Sequence, residues 1–162
     1  MKFGVYLINP PNLAYAPGDP TASDFGPDAV SITSPGYLRE CAQYAEELGF
    51  DSIWFPDHVV IPAKYDSRYP YQPYEGDEYK RYPFDETEFP EPFTAMAYVA
   101  GATDRIKLRT GVIILPERNP VLFAKQLGTL DALSDGRLEL GIGIGWLREE
   151  FDALGIPWSN RG

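Results

Sequence analysis

Apolar positions along the chain change period several times, and each change marks an element. Lys2 to Ile8 is an apolar run broken at once by Asn9-Pro10-Pro11, which reads as a first buried strand. A Gly/Pro/Ala-rich loop follows through Thr33. Ser34 then stands at a helix N-cap with Pro35 in the first turn; Tyr37, Leu38, Cys41, Tyr44, Ala45 and Leu48 keep the helical period, and Gly49 sits where a left-handed C-cap belongs. Asp51 to Phe55 is a short apolar strand that delivers Pro56-Asp57-His58 to its C-terminal end. Pro92 to Ala102 reads as a second helix with Phe93, Met96, Val99 and Ala100 inward, Thr103-Asp104-Arg105 turns, and Ile106 to Leu115 is a third strand. Its apolar second half, Val112 to Leu115, suits a strand covered on both faces.

The block from Arg118 to Glu150 repeats this grammar. Asn119 caps a helix and Pro120 fits its first turn, where a missing N–H costs nothing. Leu122, Leu127, Leu130 and Leu133 predict the buried stripe, and Ser134-Asp135-Gly136 turns the chain. Arg137 to Ile142 reads as a fourth strand, Gly141, Gly143 and Gly145 strip side chains from its exit, and a fourth helix opens at Trp146. Four strands alternating with helices predict a parallel α/β fold.

Between Val59 and Pro92 no period of either kind is sustained. Six tyrosines lie between Tyr65 and Tyr82 among prolines and charges. A loop of that length is functional or disordered, and its aromatic content favours function, as a lid; packing on the outside of the fold is the alternative.

Composition narrows the class. Hydrophobic residues make up 44% and charged residues 23% of the 162, which suits a globular chain of one domain. A formal net charge of -10 argues against a nucleic-acid partner, because that affinity rests on Lys and Arg neutralising phosphates. The single cysteine, Cys41, excludes an internal disulfide and reads as a small core residue. The N-terminal run is too short for a signal peptide and no run approaches membrane-spanning length, so a soluble, cytoplasmic protein with small partners is expected.

Chemistry is expected where the strands end, at the edge that binds ligands in parallel α/β folds. His58, the one histidine, follows a buried strand with Asp57 beside it; a carboxylate there would orient the ring for proton transfer or for a hydrogen bond to a heterocycle. One histidine and one cysteine, far apart, offer no metal site, and the carboxylates of Asp77-Glu78 and Glu149-Glu150 read as solvated faces. No G-x-S-x-G elbow is present. Gly141-x-Gly-x-Gly is not a dinucleotide fingerprint, which follows the first strand and needs its third glycine one residue later. It reads either as backbone cleared for a flat or phosphorylated ligand, with Trp146 as a stacking wall, or as relief of crowding at a barrel strand.

Through MKFGVYL, AEELGFDSIWFPDHV, LRTGVIILPERNPVLFAKQLGTLDALSDGRLELGIGIGW and REEFDALGIPWSNRG the chain resembles the luciferase-like monooxygenase superfamily, most closely its actinobacterial group of F420-dependent oxidoreductases. The resemblance implies a (β/α)8 TIM barrel that binds reduced deazaflavin (coenzyme F420, the preferred cofactor) or FMN at its C-terminal mouth and moves a hydride or activates oxygen. Residues 1–162 match the first four β/α units, with a Tyr/Pro-rich insertion at about 59–92. By this resemblance His58 lies near the coenzyme ring or the substrate, with Asp57 beside it. Thr110, Gly111 and Val112 match a bulge that backs the ring, with Gly111-Val112 the candidate for a cis peptide, and Gly143, Gly145 and Trp146 match the strand exit lining the ring's edge. Trp146 stands where sugar-phosphate-oxidising members carry a glutamate, which disfavours that activity.

Two functions follow from different classes. One is an F420- or FMN-dependent oxidoreductase acting on a small organic substrate, with neither nucleic acid nor membrane as partner. The other is a catalytically silent half-barrel that binds the coenzyme or acts as an assembly module. A four-strand half is expected to expose edge strands and an apolar sheet face, and so to form a homo-oligomer or join the remainder of a longer chain.

Overall fold

A computed structural model describes residues 2–6, 34–70, 74–75, 78–79 and 88–162. The end of the expected first strand, the loop that follows it, and the insertion tyrosines Tyr71 and Tyr82 lie outside the described residues.

Four parallel strands, β1 (Gly4–Tyr6), β2 (Ser52–Phe55), β5 (Lys107–Thr110) and β7 (Leu138–Glu139), form one sheet whose spatial order is their chain order. Each strand therefore adds beside the last, as in a singly wound barrel, with no reversal of the kind an open doubly wound sheet shows. Two further strands, β6 (Ile113–Ile114) and β8 (Ile142–Gly143), pair parallel to each other and continue β5 and β7 toward the C-terminal edge. A two-residue hairpin, β3 (Tyr74–Glu75) with β4 (Glu78–Tyr79), belongs to the insertion.

The expected continuous strands 106–115 and 137–142 are thus each interrupted. At the break the Thr110 hydroxyl donates to the Gly141 carbonyl at 2.8 Å and accepts from the Gly141 N–H at 2.9 Å, so a side chain takes over the ladder's bonds. Ile113 N–H resumes pairing by donating to Gly141 O at 2.8 Å. The expected bulge at Gly111-Val112 lies in this gap. The expected cis peptide there is corrected: among the described residues every peptide bond is trans.

Helices α1 (Pro35–Glu47), α2 (Pro92–Ala100) and α3 (Pro120–Leu133) cover one face of the sheet, and α4 (Arg148–Leu154) follows β8. Ser34 occupies the α1 N-cap position, though its carbonyl rather than its side chain meets the helix, accepting from Leu38 N–H at 3.1 Å. Gly49 is left-handed at φ 80°, as the C-terminal signal predicts. The Asn119 side chain caps α3 by accepting from the N–H groups of Val121 and Leu122. The core joins Leu38, Ala42 and Ala45 of α1 to Ile53, Phe55 and Leu108 of the sheet, Phe93, Met96 and Val99 of α2, and Phe123 and Leu130 of α3; Cys41 packs at its margin.

The stripe on α3 differs from expectation. Phe123, Leu127 and Leu130 face the core at i, i+4, i+7 spacing, while Leu122 and Leu133 are 59% and 73% exposed. Leu122 is one residue, roughly 100°, round the helix from Phe123. The sheet's other face is also not the apolar surface expected. Trp54, Lys107, Arg109 and Glu139 point there: Arg109 donates to Glu139 at 2.5 Å and to Ser52 Oγ at 3.1 Å, Lys107 pairs with Glu139, and Arg109 lies over the Trp54 ring. Only toward the C-terminal edge does this face turn apolar, at Val112, Ile142 and Ile144. No helix among the described residues is long and apolar enough to cross a membrane.

Candidate active site

A cavity of about 820 Å³ opens at the C-terminal edge, a volume typical of small-molecule sites. Its walls include Tyr6 from β1, His58 from the β2 exit, Gly111 and Val112 from the β5–β6 break, and Ile142 to Trp146 around β8. Of the residues expected at the site, Asp57, His58, Gly111, Val112, Gly143, Gly145 and Trp146 all line it. Thr110 does not; it is fully buried in the sheet and fastens β5 to Gly141.

The glycines divide between the two readings. A Cβ on Gly111 would overlap the Tyr6 ring, one on Gly143 would approach Val112 Cγ2 to 2.9 Å, and one on Gly145 would meet Phe151 and Ile114 at 2.8 and 2.9 Å. Their bare backbone therefore lets protein neighbours close in, while the same residues still present main chain to the cavity. Gly145 has a φ of 76°, so the chain kinks there and α4 begins at Arg148 rather than Trp146.

His58 is held by a carboxylate, but not by its neighbour Asp57. Its Nδ1 lies 2.7 Å from Oε2 of Glu150, a residue of α4 with no exposed surface. The other oxygen of Glu150 accepts from the N–H groups of Val59 and Val60 at 2.6 and 3.1 Å, so one buried carboxylate fixes both the ring and the chain leaving it. Asp57 turns away: its Oδ2 accepts from Ile114 N–H at 2.8 Å and its Oδ1 from Arg118 Nη2 at 2.5 Å, tying the β2 exit to the β6 exit. Burial pushes the Asp57 carboxyl up, and the Arg118 guanidinium and the Ile114 N–H oppose that rise.

Neither Glu150 nor Glu117 stands out in the sequence. Glu150 sits in the charged run Arg148-Glu149-Glu150, yet Leu147, Glu150 or Phe151, and Leu154 follow i, i+3/i+4, i+7, and this phase turns Glu150 inward. The expected solvated face at Glu149-Glu150 is corrected accordingly. Glu149 holds the insertion by accepting from the N–H groups of Asp66 and Ser67 at 2.8 and 3.1 Å. Glu117 ends a 3₁₀ turn, Leu115–Glu117, behind the cavity. Burial, then the charges of Glu150 and Asp57, push its carboxyl up to about 8.

The described part of the insertion packs on the mouth rather than on the outside. Tyr65 and Tyr69 set their rings edge-on to Trp146 at 6.0 and 5.2 Å, and Phe89 meets His58 at 5.0 Å. Arg68 and Arg161 bring positive charge to the same rim. No cluster of metal-ligating side chains exists among the described residues.

Comparison with known proteins follows the same line. The model of a family described as luciferase-like monooxygenase matches residues 1–162. An uncharacterized protein of Mycobacterium tuberculosis is 36% identical over 134 residues, 83% of this chain and 45% of that protein. The chain thus spans less than half the length of this curated relative. Two solved structures share the fold: the FMN-bound oxygenating constituent of 3,6-diketocamphane monooxygenase from Pseudomonas putida, with a TM-score of 0.61 and 20% identity over 96% of this chain and 33% of that one, and the coenzyme F420-dependent tetrahydromethanopterin reductase of Methanopyrus kandleri, with a TM-score of 0.56 and 22% identity over 97% and 30%.

Proposed function

Because the chain belongs to the luciferase-like monooxygenase family, we propose that its cavity is the coenzyme-ring side of a flavin- or deazaflavin-dependent oxidoreductase acting on a small organic substrate. The observation that carries this reading is the buried His58–Glu150 pair at the wall of an 820 Å³ cavity whose remaining surface is largely apolar. A flat tricyclic ring fits what the residues offer. Val112, Ile142 and Ile144 supply an apolar wall, Gly143 and Gly145 supply main-chain hydrogen-bonding groups, and Trp146 supplies an aromatic edge. Such a coenzyme, when bound, supplies hydride or activated oxygen.

The chain's own residues do the rest. With Nδ1 committed to Glu150, His58 exchanges a proton with substrate or coenzyme through Nε2. Glu150 holds the tautomer that makes this possible, in the way a buried carboxylate orients a general acid–base histidine. Asp57 is a brace rather than a proton-transfer group: with Arg118 it keeps the two strand exits in register. The insertion residues Tyr65, Tyr69 and Phe89 exclude water from the mouth and select the substrate, acting as a lid. Arg68 and Arg161 attract an anionic group at the rim. Residues 1–162 supply about the first four β/α units of the barrel, and the complete site includes either the remainder of a longer chain or a second copy. F420 is preferred to FMN on family resemblance. A cytoplasmic location is part of the same proposal and rests on the family resemblance alone.

Titration of the chain with F420 and with FMN, each oxidised and reduced, tests the proposal by coenzyme absorbance and fluorescence. Saturable perturbation by at least one form is expected. Absence of any change with all four would leave a catalytically silent module as the better account.

A further inference from the structure

Behind the cavity stands a group that the proposed chemistry leaves unused. Both carboxylate oxygens of Glu117 are buried, and no donor reaches either of them. Beside it lie the carboxyls of Glu150 and Asp57 and the guanidinium of Arg118. The cation beside it, Arg118, gives Nη2 to Asp57 and Nη1 to Glu91, and its buried Nε–H meets no acceptor, so it makes no hydrogen bond to Glu117. Glu150 is equally committed, with Oε2 on His58 and Oε1 on Val59 and Val60 N–H. An ionised carboxylate only accepts hydrogen bonds, so two of them side by side and out of water repel and cannot bond. One proton between them converts the repulsion into an O–H···O⁻ bond and gives the orphaned oxygens a partner.

We propose that Glu117 and Glu150 hold a single proton between them as a carboxylic acid–carboxylate pair behind His58, making Glu117 a positioning residue that fixes the charge facing the imidazole. The groups packed around it make the count. Asp57 and Arg118 cancel one another, the Glu91 charge meets Arg118 from the outer side where solvent screens it, and the buried negative charge that remains sits on Glu150, opposite His58. A second charge, on Glu117, would repel Glu150 and strengthen the hold on an imidazolium that must release its proton. Burial and the two neighbouring carboxylates set that second ionisation near pH 8, so the pair keeps its proton at neutral pH and loses it in mildly alkaline solution. The consequence for turnover rests on the proposed function; the shared proton does not.

Carbon-detected NMR of the chain with glutamate side-chain carboxyls labelled tests the pair without coenzyme. One glutamate should titrate near pH 8 rather than at the ordinary 4.5, and its signal should vanish in Glu117→Gln, whose amide N–H still donates to Glu150. The ring signals of His58, the one histidine, should respond to the Glu117 ionisation at the same pH, a response absent from the variant. In active enzyme the pH profile should carry a basic limb near 8 that Glu117→Gln lacks. Titration of every glutamate in the ordinary range, or a His58 signal indifferent to the substitution, would overturn the pair. Should Glu117→Gln fail to fold, the wild-type carboxyl titration decides alone. Failure of coenzyme binding would count against the functional proposal and leave this result standing.

Discussion

Glu150 reaches His58 across 92 positions of sequence and satisfies two backbone N–H groups as it does so. Replacing it by Ala removes the acceptor from all three donors, and a stability loss of about 1–3 kcal/mol should follow, read by urea unfolding. His58→Asn should leave that stability nearly unchanged and, if His58 moves a proton as proposed, lower turnover about a hundredfold, because it removes the imidazole while keeping a polar side chain. Asp57 should behave in the opposite way. Asp57→Ala removes the buried partner of Arg118, leaving only Glu91 on its outer side, and should cost about 3 kcal/mol, an effect on folding rather than on chemistry. His58 was legible because an apolar strand led directly to it. Its carboxylate partner was not, since sequence adjacency pointed to Asp57, and the residue that does the work lay in a charged run whose helical phase alone betrays it.

Helix ends and turns hold the elements in place by side-chain oxygens that meet bare N–H groups. Asn119 caps α3 in the way its Asn-Pro signal predicts, and Asn119→Ala should cost about 1 kcal/mol by thermal or urea unfolding. A less visible example is Glu46, in the last turn of α1. Its carboxylate accepts from the N–H groups of Arg105 and Ile106 at 2.5 and 2.6 Å and of Asp104 at 3.2 Å, closing the turn into β5. Burial would raise the Glu46 carboxyl, but these three donors and the Arg105 charge outweigh it and lower the group below the ordinary 4.5. The sign follows: the stability Glu46 contributes is complete above about pH 4.5 and is lost as the pH falls through the depressed folded value. Urea midpoints of wild type and Glu46→Ala should therefore differ at pH 7 and converge toward pH 3. The cap on α3 was readable from local sequence, whereas Glu46 acts on a turn 58 to 60 residues away. On α3, Leu127 and Leu130 face inward as their spacing predicts, but Leu122 and Leu133 do not, because the aromatic Phe123 sets the first turn of the inward face.

Across the whole molecule the sheet's inner face is graded, from a charged belt of Lys107, Arg109 and Glu139 to the apolar wall of Val112, Ile142 and Ile144. Alternation of strand residues predicts two faces but not this gradient along one of them, which arises where the two paired strands break together at Gly111 and Gly141. The parallel order, the strand-exit location of the cavity and its walls at Pro56 to His58 and Gly143 to Trp146 were readable from the order of elements, while Gly111 and Val112 were indicated by the family resemblance. The burial of Thr110 was not readable, because it depends on the hydrogen bonds exchanged between neighbouring strands; the trans Gly111–Val112 peptide is the ordinary state of a non-prolyl bond, and only the resemblance suggested otherwise. Under the proposed function a flavin-type ring lies on the apolar part of this face. Amide NMR of the chain titrated with F420 and FMN tests it most directly. Saturable shifts should concentrate at Val112, Gly143, Gly145, the Trp146 indole and His58, with the charged belt unmoved. Shifts scattered over the surface, or confined to Lys107, Arg109 and Glu139, would contradict it.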